Sequence, residues 1–158
     1  MIPLEQLKKQ AKEKQKIFAQ VLKKANNQKI IKRLPALHEK VFEQIDCLDC
    51  ANCCKNYSPR FRLPDIKRIA KHLKMKETVF IETFLKVDED EDFVLQNHPC
   101  PFLEADNKCS IYDVRPRDCQ RYPYTDEDVL VKQAGLTLKN AAVCPAVFSL
   151  LERLEKEL

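Results

Sequence analysis

Glycine is almost missing from this chain: Gly135 is the only one in 158 residues. Phosphate-cradling loops and dinucleotide fingerprints need several glycines so that the backbone can approach a phosphate, which excludes nucleotide binding by those routes. Tryptophan is absent, and there are three histidines and two methionines. The sequence holds no H-E-x-x-H pattern, no Ser-His-Asp arrangement and no paired carboxylates with a definable pocket. No apolar run approaches the roughly 18–20 residues that span a bilayer, so no membrane crossing is expected. The first fifteen residues lack the continuous apolar region and small-residue cleavage site of a secretory signal. The expected location is the reducing cytoplasm, where clustered cysteines read as metal or redox chemistry.

Cysteine is what the chain has in excess, with eight. Pairing them as disulfides is the plain alternative. It is weakened by a chain longer than the usual disulfide scaffold and by the adjacency of Cys53 and Cys54, which suits a compact bridge framework poorly. Thiolate–metal ligation is the better reading, with Cys47, Cys50, Cys53, Cys54, Cys100, Cys109, Cys119 and Cys144 as candidate ligands. The strongest signal is Cys47-x2-Cys50-x2-Cys53-Cys54. A two-residue gap lets one tight turn aim both sulfurs at a centre about 2.3 Å away. A third cysteine after a second such gap is like the run of bacterial ferredoxins, where a distant Cys-Pro adds a ligand. Two such dipeptides follow, Cys100-Pro101 and Cys144-Pro145. Cys47, Cys50 and Cys53 are therefore expected to matter most, ahead of Cys109. His98 offers a nitrogen ligand beside Cys100, although eight thiols make it unnecessary.

Charge is unevenly spread. Residues 1–45 hold 11 Lys/Arg against 4 Asp/Glu, a net +7, while the remainder holds 17 against 20. These lysines alternate with apolar residues at helical spacing and lack an aromatic platform, so a solvated helix face is favoured over a nucleic-acid surface. The acidic stretch Asp88 to Asp92 reads as a solvated turn, without the glycine and terminal glutamate of a calcium loop.

The fold is expected to be mainly α with a short β-hairpin. Leu4, Leu7, Ala11, Phe18, Val21, Leu22 and Ala25 form one helical stripe, and Ile30 to Ile45 a second that Pro35 kinks or restarts. These two make a basic N-terminal helical hairpin over 1–45, packed on a cysteine-rich metal-binding domain over 46–158. Within that domain Pro64-Asp65 opens a helix, another covers about 77–86, and Pro145 starts a terminal one. Phe93 to Gln96 reads as a strand, and Phe102-Leu103 could pair with Cys109 to Tyr112 across the intervening turn. The N-terminal stripe must be buried, either on the cysteine domain or as the seam of a homodimer.

The two cysteine blocks together resemble the YkgJ-like CxxCxxCC cysteine-cluster family over about Asp46 to Pro145. The first block carries the motif of that name. The second matches Cys-Pro-Phe-Leu at Cys100 to Leu103, and then Cys109, Ile111, Tyr112, Arg115, Pro116, Cys119, Tyr122 and Pro123. The resemblance implies zinc or iron chelation. The crowded thiol run favours an iron–sulfur cluster over zinc, with a role in electron transfer, sensing or cluster-dependent catalysis. Two alternatives stand: a zinc-stabilised structural or interaction module, and a relative of cluster-containing protein lysine methylases, which carry a similar cysteine-rich region. No protein partner is indicated. Arginines near the motifs could offset thiolate charge, and Arg115 is expected to brace a loop.

Overall fold

Apolar residues at helical spacing do become helix along most of the chain. In the computed structural model, which describes residues 2–158, 60% of the chain is helical. The first four helices are α1 (Leu4–Glu13), α2 (Gln15–Ala25), α3 (Gln28–Ile31) and α4 (Leu34–Phe42). The cysteine motif follows in two single turns, α5 (Cys47–Cys50) and α6 (Asn52–Asn56), and then come α7 (Leu63–His72) and α8 (Glu77–Phe84). Strands β1 (Leu85–Val87) and β2 (Phe93–Leu95) precede a 3-10 turn over Tyr112–Val114. The chain closes with α9 (Arg117–Arg121), α10 (Val129–Lys132), α11 (Ala134–Ala141) and α12 (Pro145–Glu157). The expected class, mainly α with one short antiparallel hairpin, is the one observed. Among the described residues no single helix is long and apolar enough to cross a membrane.

The chain divides into two compact units, one of residues 1–46 and 123–158, the other of residues 47–122. The terminal segment 123–158, grouped with the cysteines on sequence, thus shares a unit with the N-terminal helices. The reason is packing: α12 lies against α2 and α4, and its Phe148 meets Phe18 edge-on with ring centroids 5.3 Å apart. Leu7, Ala11, Phe18, Val21, Leu22 and Ala25 are buried in this helical core with Leu150, Leu151 and Leu154. The stripe proposed as a dimer seam is therefore already covered within the chain. Its single expected helix is broken at Lys14 into α1 and α2. Lys14 lies at the break and bonds Glu152 and Glu155 at 3.1 and 2.9 Å. Pro35 falls in the first turn of α4, where its missing N–H leaves no orphan, so it restarts a helix. His38 Nδ1 meets the buried Thr125 hydroxyl at 2.7 Å, and its ring lies against Phe42, as a packed histidine.

The cysteine-bearing unit has a smaller core, built from Phe61, Ile66, Ile69, Phe80, Leu85, Leu95, Phe102 and Ile111 among others. Its hairpin pairs Leu85 with Leu95 and Val87 with Phe93 across the acidic turn. The second expected hairpin shrinks to one bridge, Leu103 with Cys109, because Tyr112–Val114 turns as a 3-10 helix instead of extending. Asp65 caps α7 by accepting the Arg62 N–H at 3.0 Å, and also accepts from Arg68 Nη2 at 2.8 Å and the Arg117 N–H at 3.2 Å. This buried carboxylate ties α7 to the start of α9.

Candidate metal centre

Cys-x2-Cys-x2-Cys-Cys could run on as one helix, since positions three and four apart share a face. It does not. Ala51 takes a left-handed conformation, φ 48° and ψ 18°, which costs a non-glycine residue about 1–2 kcal/mol. The kink separates α5 from α6, so Cys47 and Cys50 lie on one turn and Cys53 and Cys54 on the next. Cys47 is exposed, while Cys50, Cys53 and Cys54 are half-buried. The Cys100 N–H then donates to the Cys54 carbonyl at 2.8 Å, strapping the second block to the first. Asn107 Nδ2 adds another strap, to the Leu48 carbonyl at 2.7 Å.

These straps bring thiols from three segments into electrostatic range. Cys119 is influenced by Cys54, Cys100 and Cys109, and Cys54 also acts on both Cys100 and Cys109. Burial pushes Cys100 up to about 11, against backbone donors at Phe102 and Leu103. Cys109 is raised for the same first reason, with the Ile111 N–H and the Arg115 charge opposing. Cys119 keeps an exposed edge, yet desolvation of its sulfur and the three neighbouring thiols raise it strongly. Cys54 goes the other way, down to about 7, because the Cys53 thiol donates to its sulfur more strongly than burial opposes. The hub is Cys54, the fourth cysteine of the motif.

Elsewhere the expected residues are dispersed. Cys144 lies in the helical unit at the start of α12, half-buried against that unit's apolar core. His98 is exposed. Tyr112 is 60% exposed, and it stacks beneath the Arg115 guanidinium at 3.8 Å. Bracing of the loop is carried out by Arg68, which donates to the carbonyls of Val114 and Arg115 at 3.2 and 2.9 Å. Asp65 and Arg68 escaped the sequence reading as site supports. Asp65 had only a helix-capping position as a signal and Arg68 none, and neither speaks of a partner some 50 residues away.

Among the described residues no three His, Cys, Asp or Glu side chains form a ready-made ion site. The donor chemistry nonetheless fits zinc or iron, because clustered thiols are the soft ligands both take in proteins. A buried cationic donor without a partner, Arg115 Nε, fits an anionic centre as well. Cys54, Cys100, Cys109 and Cys119 are the residues that would hold the metal, releasing protons as it bound. A family model described as "CxxCxxCC: Putative zinc- or iron-chelating domain" matches residues 46–145. No curated protein and no solved structure matches the chain.

Proposed function

The chain belongs to the CxxCxxCC family, and on that premise we propose that it holds iron, as an iron–sulfur cluster, through thiolates of the 47–122 unit. The observation that carries the proposal is the strap between the two cysteine blocks, the Cys100 N–H donating to the Cys54 carbonyl at 2.8 Å, with Cys54, Cys100, Cys109 and Cys119 within electrostatic range of one another. Buried thiols that raise one another's pKa are costly to ionise unless a cation compensates them, and a metal supplies that compensation. Iron is favoured over zinc by the crowded run Cys47-x2-Cys50-x2-Cys53-Cys54, which is like the tight cysteine runs that grip clusters in ferredoxins. Such a centre would serve electron transfer or sensing in the cytoplasm.

Zinc as a structural staple is the second reading, and the small apolar core of the same unit favours it. Anaerobic purification with elemental analysis for iron, zinc and acid-labile sulfide separates the two. Iron and sulfide in comparable amounts support the cluster, zinc without sulfide supports the staple, and neither metal refutes both. Serine substitutions then rank the ligands. Cys54→Ser, Cys100→Ser and Cys119→Ser are expected to empty the site, and Cys47→Ser to leave most of the metal. The reverse order would restore the ranking drawn from motif spacing.

A further inference from the structure

Arg115 lies between Cys109 and Cys119 in the second cysteine block. Its backbone is held independently of its side chain: Arg68 Nη2 and Gln120 Nε2 donate to its carbonyl at 2.9 and 3.0 Å. The side chain is thus free of the bracing role. The guanidinium is fixed over the Tyr112 ring, 3.8 Å from its centroid. Its Nε is buried and has no hydrogen-bond partner in the protein. An unpaired buried donor is costly, the more so when charged, and such an atom in a folded protein calls for a partner the chain itself does not supply, such as an ion.

Resting on the thiolate–metal reading above, we infer that Arg115 is a positioning residue of the metal centre, its buried Nε donating to a ligand sulfur of the loaded site and its charge offsetting the anionic thiolates. The ring of Tyr112 aims the guanidinium. Planar geometry matters here, because lysine can supply the charge but not an N–H held in that plane.

The test uses the full chain, prepared metal-free under anaerobic conditions, with zinc ion as probe in competition with a chromophoric chelator. Arg115→Gln is expected to weaken zinc binding by roughly 10–100-fold, the usual effect of losing a group that orients or compensates a ligand. Arg115→Lys should recover part of the loss, and Tyr112→Leu should weaken binding less than Arg115→Gln does. Cobalt in place of zinc gives a second readout, a displaced thiolate-to-metal charge-transfer band in Arg115→Gln, which loss of a mere brace would not produce. Zinc affinity of Arg115→Gln within twofold of the parent overturns the inference, as does Arg115→Lys binding no better than Arg115→Gln. Should Arg115→Gln fail to fold, Tyr112→Leu decides, since it alters only an exposed ring: unchanged affinity and an unmoved cobalt band overturn the inference. A parent chain that takes up neither zinc nor iron refutes the metal reading itself, whereas a parent that binds normally beside an unaffected Arg115→Gln removes the role of Arg115 alone.

Discussion

Among the described residues, the unit of residues 2–46 and 123–158 buries twenty apolar side chains in one core, and the unit of residues 47–122 buries nine. The stretches of chain are of similar length, but the means of cohesion differ. The first follows the rule for helical domains, with amphipathic helices turning their stripes inward around Phe18 and Phe148. The second is short-helical and polar at its joints, and relies on the Asp65 network and on backbone straps between its cysteine blocks. Seven of the eight cysteines lie in this weaker unit. Small cores are commonly completed by metals or disulfides, and a metal shared by Cys54, Cys100, Cys109 and Cys119 would cross-link its distant segments.

Metal removal should widen the contrast most. Chelation of the metal-loaded protein is expected to destabilise residues 47–122 by several kcal/mol or more, since structural metals contribute on the order of 10 kcal/mol in small thiolate domains. Hydrogen exchange would show fast amides in that unit and slow ones in α2, α4 and α12. Equal protection of both units after verified metal loss would break the comparison.

Core truncation tests the same contrast from the other side. Phe148→Ala and Phe80→Ala each remove a ring that is 1% or less exposed, and each should cost about 3–5 kcal/mol in denaturant unfolding. Phe148→Ala should leave metal per folded chain unchanged. Phe80→Ala should lower it, because Phe80 stacks with Phe102, which sits two residues from Cys100.

A smaller effect is expected at Asp65. Asp65→Ala removes the acceptor of three hydrogen bonds and should cost about 2–4 kcal/mol, confined to the cysteine unit. Loss of metal affinity in this variant, without global unfolding, would connect the network to the site through α9 and Cys119.

The least effect belongs to Lys14. Its ammonium is raised above the ordinary lysine value, first by the hydrogen bond to Glu155 and then by Glu152, with burial opposing. A raised folded pKa means the stabilisation is complete below the unfolded lysine value near 10.4 and disappears as pH climbs through the higher folded value. Lys14→Met should therefore cost about 0.5–1 kcal/mol at pH 7 and nothing measurable once the parent lysine has lost its proton. Melting curves of the two proteins from pH 7 to above 11 check the convergence.

Much of the fold was legible because local physics sets it. Pro3, Pro35, Pro64 and Pro145 stand in or beside the first turns of helices, and apolar spacing defines their buried faces. Less was legible where one residue's conformation or a distant partner decides. Nothing in the word CxxCxxCC says that Ala51 turns left-handed, or that Cys54 is the motif cysteine that acts on Cys100, Cys109 and Cys119. The partition of the chain was equally hidden, since residues 123–158 follow the cysteine block in sequence yet share a core with α1 to α4.

What the sequence determined alone was the chemistry: thiols in two blocks, the family to which they belong, and helices where the apolar period runs true. Those follow from residue identity and short-range spacing. Only the tertiary structure decided that Cys54 comes within electrostatic range of Cys100, Cys109 and Cys119, that Arg68 braces the loop, and that Arg115 keeps a buried N–H without a protein partner. Each depends on segments 45 to 65 positions apart, or on the direction of one guanidinium, and such placements are settled by packing and desolvation across the folded unit.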